Sequence, residues 1–250
     1  MRHRHRILAR GGAAGIALLM ALVLMPSSAW ADIKNPPFAD MICSHFPGTG
    51  GLDTRTSCTN ASNQITSAGY HGFNDVGVTA ATAMGTGYAL DDAIWAMFGH
   101  ANTGFIQAYS SGGATTEVTA DGSIWNWGCS GGNACLSGMT VAQLGRIKLM
   151  VFGGCYTANA AGSWILPKVA VQKGVRTAIG FTNEIYWPEM DTWANWFFYY
   201  AGVGNNGTLA AANHAEDAVY IQYNNYYGGV NTAQIWGNYT TSLLPVGYDS

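Results

Sequence analysis

Short apolar runs closed by glycine recur along this chain, and two of them end on a reactive side chain. Ile94-Trp95-Ala96-Met97-Phe98-Gly99 leads into His100, and Ile147-Lys148-Leu149-Met150-Val151-Phe152-Gly153-Gly154 leads into Cys155. Runs of this length read as strands buried on both faces of a parallel sheet. Weaker strands are expected over 39–43 and 73–78, and another apolar one over 176–181. Helical patterns lie between them: 60–68 with Thr59 or Asn60 as cap, 80–84, a turn at 141–144, 163–172 stopped at Gly174, 191–200 and 209–221. In 191–200 the spacing sets Trp193, Trp196, Phe197 and Tyr200 on one face, as core packing requires. Residues 101–140 are rich in Gly, Ser, Thr and Asn, with alternation at 115–119 and 123–127, and read as hairpin and loop excursions. No linker, repeat or low-complexity stretch divides the chain. The alternation of strand and helix predicts one doubly wound α/β domain. Ligands bind such sheets beyond the carboxyl ends of the strands. If the two strong strands are neighbours, imidazole and thiol meet at one sheet edge, as a Cys/His nucleophile pair requires.

The amino terminus follows another pattern. Arg2, Arg4, Arg6 and Arg10 precede an apolar stretch over 13–25 and the small-x-small sequence Ala29-Trp30-Ala31. This is the form of a secretory signal peptide, residues 1–31, with the mature chain starting at Asp32. An uncleaved anchor is the weaker alternative, because a bilayer span needs roughly 20 apolar residues. The protein is therefore expected to be secreted or held in the periplasm or cell envelope, with no membrane span after cleavage. About 219 residues remain as a single domain, 32–250, enough for a full core. That part has seven basic residues against fourteen acidic ones. Such a balance argues against nucleic-acid binding, which needs Lys/Arg clusters on the phosphate backbone.

Cysteine usage sharpens the picture. Of Cys43, Cys58, Cys129, Cys135 and Cys155, an oxidising compartment leaves one unpaired. Cys129 and Cys135 bracket a Gly/Ser/Asn loop, and Cys43 and Cys58 flank a turn-rich segment, so each pair can close a disulfide. Four cysteines allow three connectivities, and the pairing stays open on sequence alone. The remaining thiol, Cys155, is the one that the strand pattern also singles out.

The two Gly-His and Gly-Cys strand ends together resemble the caspase-like (clan CD) cysteine peptidases, nearest in pattern to the CHAT-domain proteases. Further blocks carry the likeness: Gly154-Cys155-Tyr156-Thr157-Ala158, then Lys173-Gly174-Val175-Arg176-Thr177-Ala178-Ile179-Gly180, then Trp187-Pro188-Glu189-Met190-Asp191 followed by Phe197 and Phe198. They cover about residues 90–220, and their order and spacing are more specific than any one block. The 55 positions between His100 and Cys155 are close to the roughly 50 of caspases. The resemblance implies a caspase-like open, mostly parallel sheet flanked by helices on both faces. It also implies hydrolysis of peptide bonds in a peptide or protein substrate without a cofactor. Cys155 would be the nucleophile that forms an acyl-enzyme, and His100 the general base and later acid. The backbone N–H groups of Ala101 and Cys155 would form the oxyanion hole, where one donor is worth roughly 3 kcal/mol. Two positions depart from the family. Ala101 stands where glycine usually follows the histidine, and Gly153 stands where clostripain-like members carry an acid. Separase-like members place their acid in the segment matching 187–191, which makes Asp191, or next Glu189, the candidate to receive a basic substrate side chain.

Blander readings compete at each position. Cys155 could be a buried apolar thiol and His100 a loop histidine. His71, which precedes Gly72, is the rival base, but no buried strand leads into it. His45 reads as a loop residue, and His214 as part of a solvated helix face. No His/Cys spacing suits zinc. Asp91-Asp92 is open to calcium, although a solvated turn explains it more simply. Asn206-Gly207-Thr208 and Asn238-Tyr239-Thr240 match the glycosylation pattern. The competing function is an exported, catalytically inactive caspase-like protein that binds glycan or protein. A weaker one is acyl transfer to an amine by the same dyad.

Overall fold

Strands with apolar side chains on both faces need cover on both, and the topology supplies it. In the computed structural model the elements run β1 (Phe38–Cys43), α1 (Arg55–Ser67), β2 (His71–Val76), α2 (Ala80–Ala83), β3 (Ile94–Phe98), β4 (Ala101–Asn102), β5 (Phe105–Tyr109), β6 (Thr115–Thr119), β7 (Ala134–Cys135) and α3 (Val141–Leu144). They continue with β8 (Leu149–Gly153), α4 (Leu166–Gln172), β9 (Thr177–Phe181), α5 (Trp187–Phe198), α6 (Thr208–Tyr223) and β10 (Ala233–Gly237). The structure describes residues 36–47, 51–122, 128–159, 164–223 and 232–245. All of them lie in the unit Ile33–Ser250. The expected leader, 1–31, and the alternation expected at 123–127 lie outside the described residues.

Six strands form one sheet in the order β10-β9-β8-β3-β1-β2, parallel except for β10. Alternate residues face opposite layers, as strand geometry dictates. Met41, Ile94, Ala96, Phe98, Leu149 and Val151 pack with α1, α5 and α6, where Trp193 stacks on Phe197 at 4.6 Å. Ile42, Trp95, Met97, Met150 and Phe152 pack with α2, α4 and a small second sheet, β4-β5-β6-β7. Each such Phe, Met or Ile contributes roughly 1.5–3 kcal/mol by burial, so β3 and β8 are held rigidly up to their last residues. Among the described residues no helix is long and apolar enough to cross a membrane.

Several element boundaries differ from the sequence expectation, for tertiary reasons. The first helix starts at Arg55, not at 60, because Thr54 is anchored from outside the helix. Its hydroxyl donates to the Phe98 carbonyl at 2.9 Å and accepts from the Ser44 N–H at 2.8 Å. The first turn is polar and shows no apolar period. The strand expected in the run from Ile147 begins at Leu149, and the helix expected from 163 begins at Leu166. The helix expected at 191 begins a turn earlier, with Pro188 in its first turn, where a missing N–H costs nothing. β10 was not anticipated. Disulfides join Cys43 to Cys58 and Cys129 to Cys135, which leaves Cys155 as the free thiol.

Near the strand starts, Asp40 and Asp92 are 3 % and 2 % exposed. Burial pushes both carboxyls above the usual range, and the nearby charges of Asp75 and Asp91 push the same way.

Candidate active site

β3 and β8 pair in parallel with a constant offset of 55, from Ile94 against Leu149 to Phe98 against Gly153. Gly99 extends the pairing by donating to the Gly153 carbonyl at 3.2 Å. His100 and Cys155 share that offset, so both strands deliver their reactive residue at the same level of the sheet edge. The glycines before them are required by crowding. A methyl group on Gly154 would stand 2.5 Å from the Ala101 Cβ and 2.6 Å from the Gly99 carbonyl oxygen. One on Gly99 would strike the Gln107 carbonyl. β5 is strapped across this corner, with the Gln107 N–H donating to the His100 carbonyl at 2.7 Å and Ser44 Oγ donating to the Gln107 carbonyl at 2.8 Å.

His100 and Cys155 line one cavity of about 400 Å³, together with Ala101, Asn102, Tyr156, Glu184, Ile185, Tyr186 and Trp187. The Ile185 backbone brackets the sulfur: its N–H donates to Cys155 Sγ at 3.4 Å, and its carbonyl lies 3.7 Å from Sγ. Tyr156, immediately after the cysteine, adopts φ +57°. That left-handed conformation costs a non-glycine residue roughly 1–2 kcal/mol and bends the chain sharply away from the sulfur. Thr157 pins the far side of the turn, donating to the Phe152 carbonyl and accepting from the Phe181 N–H, both at 2.9 Å.

Burial lowers the His100 imidazole below its ordinary range. It raises the Cys155 thiol, partly offset by the Ile185 N–H that donates to the sulfur, while the Glu184 charge adds a lesser upward push. Both shifts favour the uncharged forms of imidazole and thiol. Such a pair can act by general-base removal of the thiol proton during attack, without a standing ion pair.

The other residues singled out from sequence are placed as follows. Ala101 opens β4 and is not among the residues with positive φ, so alanine at this position carries no left-handed strain. Asp191 accepts from Ser57 Oγ and faces a separate cavity of about 390 Å³ with Asn60, Thr192, Asn195 and Tyr223. Glu189, in the first turn of α5, is 1 % exposed, with Oε1 unpartnered among the described residues. Neither acid lines the Cys155 cavity. His71 begins β2 at the amino edge of the sheet, beside Phe38, at the opposite end from Cys155. His45 approaches Asp53 at 3.4 Å, and His214 is exposed against the Tyr200 ring. Asp92 is turned inward to Asp40. Among the described residues no group of three or more His, Cys, Asp or Glu is placed to hold a metal ion. Glu184, Ile185 and Tyr156 were not foreseen as site residues. An acid between two short polar and aromatic stretches gives no periodic signal, and left-handed backbone is invisible without a glycine.

No family model matches the chain, and no curated protein matches it. Solved structures do. One is the Arg specific cysteine proteinase gingipain R (RGPB), with a TM-score of 0.53 and 12 % identity over 82 % of this chain and 46 % of that one. Another is the complex of Porphyromonas gingivalis RgpB pro- and mature domains, with a TM-score of 0.53 and 12 % identity over 83 % and 48 %. A further structure described as a protease has a TM-score of 0.55 and 10 % identity over 86 % and 50 %. The chain thus spans about half the length of these structures. At such identities the likeness shows the fold alone: a mostly parallel central sheet flanked by helices.

Proposed function

We propose that this protein is an exported cysteine endopeptidase in which Cys155 attacks the scissile carbonyl and His100 manages the proton. The observation that carries this reading is the matched offset of His100 and Cys155 beyond β3 and β8, opening on one cavity. Neutral His100 removes the thiol proton as sulfur bonds to the carbonyl carbon. The same imidazolium then protonates the departing amine, leaving a thioester. Water, deprotonated by His100, attacks that thioester and releases the acid and the free thiol. The backbone N–H groups of Ala101 and Cys155 would face the oxyanion. The two disulfides and the free fifth cysteine are compatible with an extracellular or periplasmic setting. The closer likeness to CHAT-domain proteases rests on the sequence blocks alone.

For the acyl side of the substrate, a basic residue is the expectation carried by Asp191 and Glu189. Asp191 lines a separate cavity, whereas Glu184 lines the Cys155 cavity itself. The test is covalent labelling with peptidyl acyloxymethyl ketones that differ in the residue bearing the ketone. Adducts should form on Cys155, be absent in Cys155→Ala, and form fastest with arginine or lysine. No adduct across such a panel would favour a binding protein built on the same scaffold.

A further inference from the structure

A second cavity, of about 630 Å³, lies on the other side of His100 and takes no part in the chemistry above. His100 lines it together with Phe46, Gln107, Thr115, Glu117 and Asn133, and Cys155 does not. Glu117 lies in β6, directly opposite Gln107 of β5, on the face of that hairpin turned away from the core residues Ile106 and Val118. A carboxylate on an outward hairpin face would ordinarily be hydrated, yet Glu117 is only 4 % exposed. Its Oε1 accepts from Gln107 Nε2 at 2.8 Å, and its own N–H donates to Asn133 Oδ1 at 2.9 Å. The second carboxylate oxygen, Oε2, is buried and has no hydrogen-bond partner among the described residues.

We propose that this cavity is a substrate subsite for an arginine or lysine side chain on the leaving-amine side of the scissile bond, with Glu117 as its counter-charge. The proposal rests on the peptidase reading, and three observations converge on it. A buried carboxylate with an idle oxygen is costly, and a guanidinium or ammonium in hydrogen-bond reach removes that cost. Burial holds the Glu117 carboxyl up to about 7, so a cation entering near neutral pH would draw it into the ionised form. No lysine or arginine among the lining residues competes for the charge.

Position supplies the second argument. The group that protonates the departing amine must face the part of the substrate that leaves with it. Ile185 and Trp187, which wall the Cys155 cavity, pack with the α1/α5/α6 layer, whereas the β5–β6 hairpin packs on the opposite layer. His100 stands between them. A peptide whose acyl half occupies the Cys155 cavity therefore crosses His100 and enters the Glu117 cavity with its amine half. The third observation is aromatic. Phe46 lies 5.0 Å from the His100 ring and 5.1 Å from the Tyr109 ring, and so presents an aromatic wall of the kind that receives a cation.

The test uses peptides identical on the acyl side that differ only at the first two residues after the scissile bond, with arginine replaced by its neutral isostere citrulline. For the wild type, kcat/KM should favour arginine over citrulline about tenfold or more. In Glu117→Gln that ratio should fall below about threefold. Because it is a ratio within one enzyme, a general loss of activity in the variant cancels. A wild-type ratio near one, or a ratio that survives in Glu117→Gln, overturns the proposal. If no peptide is hydrolysed, the peptidase reading has failed separately, and the subsite is decided by calorimetry with argininamide and citrullinamide on the wild-type protein. Saturable binding of argininamide alone, lost in Glu117→Gln, upholds the cavity as a cation site. Equal binding of both, or of neither, overturns it.

Discussion

The central strands carry polar groups at both ends, and the two ends handle them in opposite ways. Near the starts of β1 and β3, Asp40 and Asp92 are buried against each other; burial raises the proton affinity of both, and Asp40 raises that of Asp92 further. At the ends of β3 and β8, His100 and Cys155 are also shifted by burial, but they border a cavity of about 400 Å³. A shifted titration therefore does not by itself mark a working site in this fold. Access does. The aspartate pair is locked inside the packing, whereas the imidazole and thiol open on one cavity.

Substitutions at the two ends should break this comparison in different ways. Cys155→Ala should abolish peptide hydrolysis, by at least about 10³-fold in kcat/KM, with the melting temperature within a few degrees of wild type. His100→Ala should lose about 10²–10⁴-fold, the range for a general acid–base group, measured on the same peptide. Gly154→Ala comes next. The added methyl meets backbone and the Ala101 Cβ, so neither neighbour can turn aside, and about 1–3 kcal/mol of stability should be lost in urea denaturation together with activity.

At the other end the effect is on stability and its pH dependence. Asp40 and Asp92 have folded-state pKa values above the unfolded ones. Their stabilising effect is thus complete below the normal carboxylate range and is lost as pH rises through the raised values. Wild-type melting temperature should fall between pH 6 and 9, and Asp92→Asn should flatten that slope without altering the dependence of labelling on His100. A steeper slope in the variant would contradict the pairing. The smallest change is expected for Tyr156→Gly. Relief of left-handed strain and the added freedom of the unfolded chain oppose each other, so stability should shift by no more than about 1 kcal/mol, read by denaturant melts.

Much of this arrangement was legible in the chain because it is local. Buried parallel strands are written as unbroken apolar runs, and the two reactive residues follow theirs after one or two glycines. A fifth cysteine in an otherwise pairable set pointed to the same thiol. The resemblance of the blocks from 154 to 198 added an expected family and expected roles. What stayed hidden depends on distant partners. The start of α1 is set by Thr54 reaching Ser44 and Phe98, and no periodic signal records that. β10 is a short, half-exposed strand at the edge of the sheet, paired with β9, and it lacks a long apolar run. Glu117 sits in an alternating strand where a solvated acid would be ordinary. Its surroundings include Phe46 and Asn133, 71 and 16 residues away, and no local pattern records that. Glu184 likewise gains its meaning from the sulfur 29 positions earlier.

The most direct measurement is the rate of Cys155 alkylation by iodoacetamide as a function of pH, in wild type and in His100→Ala, with the modified residue identified by mass spectrometry. A neutral pair working by general-base transfer predicts a wild-type rate that rises through a titration below the ordinary histidine range, because burial lowers the imidazole. In His100→Ala that step should vanish, leaving only the alkaline rise of a thiol that burial holds above its ordinary range. Superimposable profiles for the two proteins would show that imidazole and thiol do not act together, contradicting the account.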